Sequence, residues 1–143
     1  MDASTFSPVL VNLLAGHRLA HESHLHIKGP SVGSDHKLLD RIYNELLGEY
    51  DMTRELVSVI AAVDPRKTNT EAIAAMTSKS GFIQSGDADT ILRAVHQDQL
   101  DLMKLTGALS DKMEVPAALR AHFQNLSLSA MHRVYFLRAR LGL

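Results

Sequence analysis

The chain has no cysteine and no tryptophan, and only 5% of its 143 residues are aromatic. Without cysteine there can be no disulfide, thiolate zinc site or cysteine nucleophile, and the absence fits a reducing compartment. No long apolar run is present: the longest, Val57 to Val63, is far too short to span a bilayer. The opening residues, MDASTF, lack the basic and apolar regions of a signal peptide. These absences predict a cytoplasmic protein with no membrane partner. Also missing are strand-like alternation, Asn-Gly hairpin turns, a Gly-rich phosphate loop, a serine nucleophile elbow and an H-E-x-x-H helix. Acidic residues stop at Glu114. The last 29 residues therefore carry +4, from Arg120, Arg133, Arg138 and Arg140, while the first 114 carry −5, together giving the net −1. Such an end either complements a helix dipole in solvent or meets phosphate.

What is present is helical periodicity. At 45% hydrophobic and 22% charged, the composition suits one globular domain over residues 1–143. Ser7-Pro8 reads as an N-cap followed by a first-turn proline, opening a helix that runs to Lys28. Gly29-Pro30-Ser31-Val32-Gly33 breaks the chain. Ser34 then caps a second helix to about Val63, with Leu38, Leu39, Ile42, Tyr43, Leu46, Leu47, Tyr50, Leu56, Val57 and Ile60 on its apolar stripe and Pro65 ending it. A short helix is expected within 68–80. A third long helix follows from about Asp87 to Met113, capped by Asp87 or Asp89, and a fourth begins at Pro116 and runs to about Leu141. The expected fold is all-α, a four-helix bundle with a short helix in the long connection between helices 2 and 3. This is the one-crossover layout of ferritin-like bundles.

Chemistry concentrates between His24 and Glu55. Asp51 and Glu55 project from one face of the second helix, where like charges repel unless a cation lies between them. His24 and His36 flank the Gly/Pro turn and can face each other across it. His36 and Asp51 stand fifteen residues apart, about 22 Å along a helix, so one metal cannot bind both in one chain. Either the clusters are unrelated, or the tip of one chain meets the middle of another about a two-fold axis. The mixed nitrogen and oxygen set suits Fe(II), Mn(II) or Zn(II). His17, His21 and His26 show that histidine is locally common, and His96, His122 and His132 read as surface or packing residues. A four-helix metal hydrolase would need a third histidine at ligand spacing.

The run H-x-x-x-K-G (His24, Lys28, Gly29), then H-x-x-x-D-x-x-Y (His36, Asp40, Tyr43), then D-x-x-x-E (Asp51, Glu55) resembles the Dps family, DNA-binding proteins from starved cells. YFLRARL near the chain's end is similar to the segment closing that family's fourth helix. The resemblance implies a shell of twelve subunits built from two-fold dimers. It implies ferroxidase centres taking His24 and His36 from one subunit and Asp51 and Glu55 from its neighbour, with Glu55 bridging toward a second, weakly held iron and Asp40 assisting there. Iron is the metal implied, with Zn(II) or Mn(II) as other occupants of the same site. Fe(II) would be oxidised, preferably by hydrogen peroxide, and ferric mineral stored inside. Non-specific DNA is a further partner, and nucleoid association a further location. The chain departs from the pattern at Leu25-His26, where tryptophan-asparagine is common, and at Lys37, where an acid is frequent. It also lacks the family's pore-lining acids and its Lys-rich N-terminal tail. A cage with little catalysis, binding DNA or serving assembly, is the alternative.

Overall fold

Leu39, Ile42, Leu46, Tyr50, Thr53 and Val57 recur every three or four residues and are all buried, so one stripe of the second long helix faces inward. A computed structural model, which describes all 143 residues, has six α-helices: α1 (Ser7–His26), α2 (Val32–Ser58), α3 (Pro65–Thr77), α4 (Ser80–Gln84), α5 (Ala88–Asp111) and α6 (Ala117–Leu141). There is no strand, only one isolated bridge between Lys28 and Asp87. The chain is all-α as expected. No helix is long and apolar enough to cross a membrane.

Helix ends differ from the sequence reading, and capping chemistry explains why. Ser7 is inside α1 with Phe6 at the cap, because its hydroxyl donates back to the Ala3 carbonyl at 3.0 Å. Ser31, not Ser34, precedes α2. That helix stops at Ser58 rather than Val63: beyond it Val59 is 82% exposed, and only Ala61 and Val63 of the following apolar run pack against the core. Pro65 begins α3 instead of merely ending α2, with the Asp64 carboxylate accepting from the Arg66 N–H at 2.9 Å. Asp87 caps α5 through the Thr90 N–H, while Asp89 pairs with Arg140. The connection carries two helices, α3 and α4, where one was expected.

Helices α1 and α2 pack as one hairpin and α5 and α6 as another; α1 also contacts α3 and α5. Their apolar faces meet in a single core, in which Phe6 stacks on Phe123 with centroids 6.0 Å apart. Each such buried large side chain contributes roughly 1.5–3 kcal/mol.

Two polar groups cross that core. Arg133 of α6 is buried and donates to Gln99 Oε1 of α5 at 2.6 Å and to Glu45 Oε2 of α2 at 3.0 Å. It also donates to Glu49 Oε1 at 3.1 Å. Burial pushes Glu45 up, but bonds from Arg41 and Arg133 outweigh it and hold the carboxyl below its ordinary value. The more deeply placed Glu49 lacks Arg41, so burial wins there and its carboxyl is raised. Asp98, equally buried, accepts from Lys79 at 3.3 Å and from Gln99 at 3.2 Å. Burial raises this carboxyl, with Lys79 opposing. Gly16 of α1 lets Asp98 approach, since a Cβ there would collide with Asp98 Oδ2.

The basic end is therefore largely committed inside the fold. Arg133 serves α2 and α5, and Arg140 makes a two-pronged pair with buried Asp35 at 2.6 and 2.9 Å. Arg120 donates to the Val115 carbonyl at 3.1 Å, leaving Arg138 exposed.

Two substitutions test this account by urea unfolding. Arg133→Ala strands two carboxylates and an amide, and should cost about 3–5 kcal/mol. Gly16→Ala would ordinarily stabilise a helix by about 1 kcal/mol; here it should cost about 1–3 kcal/mol by overpacking.

Candidate functional site

The turn after α1 is fixed from both sides. Ile27 leaves the helix in extended conformation. The next N–H, on Lys28, donates to the Gly86 carbonyl at 2.9 Å, and Gly29 takes a positive φ of 124° that a side chain would resist. On the far side the Asp35–Arg140 pair pins the start of α2. His24 in the last turn of α1 and His36 near the start of α2 are thereby brought into contact, with ring centroids 3.5 Å apart and planes tilted by 36°.

The two rings are not equivalent. His36 is exposed; His24 is half-buried, and its Nδ1 is buried with no hydrogen-bond partner. Burial, then the adjacent His36, holds His24 below the ordinary 6.5, with Asp40 pulling weakly the other way. A neutral imidazole with an unused ring nitrogen is what a metal ligand requires. Asp40, one turn beyond His36, is exposed and accepts from the Tyr43 hydroxyl at 2.7 Å. That bond, with burial behind it, raises the Tyr43 phenol. Tyr43 in turn lies edge-on to His24 at 5.4 Å.

Asp51 and Glu55 lie elsewhere. Both are exposed on α2 and line a shallow groove with Arg54 and Ser58. Because α2 is unbroken from Val32 to Ser58, the separation of about 22 Å from His36 to Asp51 is real. Within one chain no three histidine, aspartate or glutamate side chains converge on a point able to hold a metal ion. The structure thus brings His24, His36 and Asp40 to the start of α2 and leaves the carboxylate pair in the last two turns of the same helix.

The other residues singled out from the sequence sit apart. Leu25 is 60% exposed. His26 turns away, its Nδ1 donating to the Glu22 carbonyl at 2.9 Å. The hydroxyl of Thr53 gives its proton to the Glu49 carbonyl, so His122 Nε2, 2.8 Å from Thr53 Oγ1, must be the donor there. His132 packs near Phe136, with centroids 5.4 Å apart, and His96 Nε2 is buried without a partner.

Sequence reasoning missed His17 and His21. Both contact Tyr43 edge-on, at 5.9 and 4.9 Å. With His24 they form an H-x-x-x-H-x-x-H run whose spacings of four and three place all three rings on one stripe of α1. That signal was available and was obscured by the local abundance of histidine.

The chain matches no protein-family model, no curated protein and no solved structure.

The environment of His24 has a direct test. Only neutral imidazole reacts with diethylpyrocarbonate, so residue-resolved mass spectrometry across pH gives each ring's titration. The His24 midpoint should fall below 6.5, and His36→Ala should move it upward by removing both cover and a neighbouring charge.

Proposed function

We propose that the chain is the subunit of a ferritin-like, Dps-type cage that oxidises Fe(II) at sites shared between two-fold-related chains. The observation that carries this reading is the contact between His24 and His36 at one end of an unbroken α2, with Asp51 and Glu55 exposed about four turns away on the same helix. Two copies of α2 running antiparallel bring each chain's histidine end to the other's carboxylates, making two identical sites per dimer.

Three further features support it. The unpartnered Nδ1 of His24 lies beside His36, and imidazole with carboxylate is a donor set suited to Fe(II). The surface around Asp51 and Glu55 carries Met52 at 50%, Leu56 at 37% and Val59 at 82% exposure, an apolar flank that a second chain would cover. Two tight hairpins joined by a long connection follow the one-crossover bundle plan.

In this reading Fe(II) is substrate. Two ferrous ions and one hydrogen peroxide, with two waters, yield two FeO(OH) and four protons; each iron gives one electron and the O–O bond takes both. His24 and His36 orient the first ion from one chain. Asp51 and Glu55 lower its charge from the other, and Asp40 stands next to His36 for the second ion. The alternative of a DNA-binding or structural cage with little catalysis has less support, because Arg133 and Arg140 are engaged in internal pairs.

The assembly should elute with a mass near twelve times 15.7 kDa; a monomer would defeat the reading. His36→Ala and Asp51→Ala should each slow peroxide-driven Fe(II) oxidation at least tenfold. Shells co-assembled from the two variants in equal amounts should recover about a quarter of the wild-type rate, because random pairing reunites an intact histidine half with an intact carboxylate half at that frequency. No recovery on mixing would mean the site is not divided between chains.

A further inference from the structure

His17 and His21 lie one turn apart on α1, with ring planes parallel to within 7° and centroids 6.2 Å apart. His17 Nδ1 is 2.8 Å from the Tyr43 backbone carbonyl. A carbonyl oxygen can only accept, so the ring's proton is on Nδ1 and the lone pair of the neutral ring is on Nε2. That outer bond to a backbone carbonyl is the one by which metal-binding histidines are held in tautomer and orientation. The His21 ring makes no hydrogen bond and is set by its edge contact with Tyr43 at 4.9 Å.

Both residues line a cleft of about 640 Å³ between α1, α3 and α4, whose lining includes neither His24 nor His36. Its far wall is Ile73, Met76 and Ile83 together with polar Thr77, Ser80 and Gln84, and Arg18 and Glu22 on the near wall offset each other in charge. A metal–nitrogen bond of about 2.0–2.1 Å puts each ring centroid roughly 3 Å from a shared ion, and so the two centroids about 5 Å apart in tetrahedral geometry. Because the planes are parallel to within 7°, the His21 ring must tilt as well as move inward by about 1 Å to aim both in-plane lone pairs at one ion.

We propose that His17 and His21 form a second transition-metal site, separate from His24 and His36, gripping a borderline dication such as Zn(II), Ni(II) or Cu(II). Two imidazoles at this helical spacing clasp one ion from one face, and imidazole is the ligand these metals prefer. Water from the cleft fills the remaining positions. The site is complete within one chain and does not depend on the proposed iron chemistry or on assembly.

Zn(II) is the probe. Equilibrium dialysis should show His21→Gln binding one zinc per chain fewer than wild type, and the same difference should persist in a His36→Ala background. His21→Gln leaves the His17–Tyr43 bond intact, and circular dichroism checks its fold. A second measurement needs no variant: saturating Zn(II) should slow diethylpyrocarbonate modification of both His17 and His21 at least fivefold. Unchanged modification of these two rings, or equal zinc binding by folded His21→Gln, overturns the proposal. Protection of His24 and His36 alone would also overturn it while leaving the reading of the preceding section standing.

Discussion

The fold depends most on one guanidinium. Arg133 reaches from α6 to Gln99 on α5 and to Glu45 and Glu49 on α2, and so joins the two helical hairpins through their shared interior. A buried cation is tolerable only when its donors are all matched, and here three elements must be in register to match them. The same requirement fixes the position and rotation of α2. Since α2 carries His36 near its start and the carboxylate pair in its last two turns, its own rise sets how far apart those groups stand, while the guanidinium fixes which way they face.

Legibility from sequence followed the range of the interactions. The buried stripe of α2 could be read because Leu39, Ile42, Leu46 and Tyr50 repeat at helical spacing, and the meeting of α1 and α2 followed from the short Gly/Pro turn. Helix ends were read less well. Pro65 reads as a stop, yet α2 has already ended at Ser58 and this proline opens the next helix, capped by the bond from the Arg66 N–H to Asp64. The arginine-rich end could not be read, because the partners of Arg133 and Arg140 lie 84 or more residues away on α2, apart from Gln99 and Asp89 on α5. Of the candidate site, the contact at the tip was accessible to local reasoning. The wider aromatic and imidazole cluster around Tyr43 was not, because Tyr43 faces three residues of a different helix.

Tyr43 also shows how α1 and α2 share their chemistry. Its carbonyl holds His17, its ring abuts His17, His21 and His24, and its hydroxyl engages Asp40. One residue of α2 thus touches all three histidines of the α1 stripe. His17 and His21 line a cleft within the chain, whereas His24 meets exposed His36 at the tip.

The Asp35–Arg140 pair has a consequence for the order of folding. The two rings at the tip meet through a hairpin, a contact that closes a short loop and can form early. The bonds that pin the start of α2 span 105 residues of chain. Closure over that distance waits on the docking of α6, as contacts of long sequence separation generally do. A nascent chain would therefore display a loosely hinged pair of imidazoles well before it can hold them still, and the last helix to arrive is the one that makes the tip rigid.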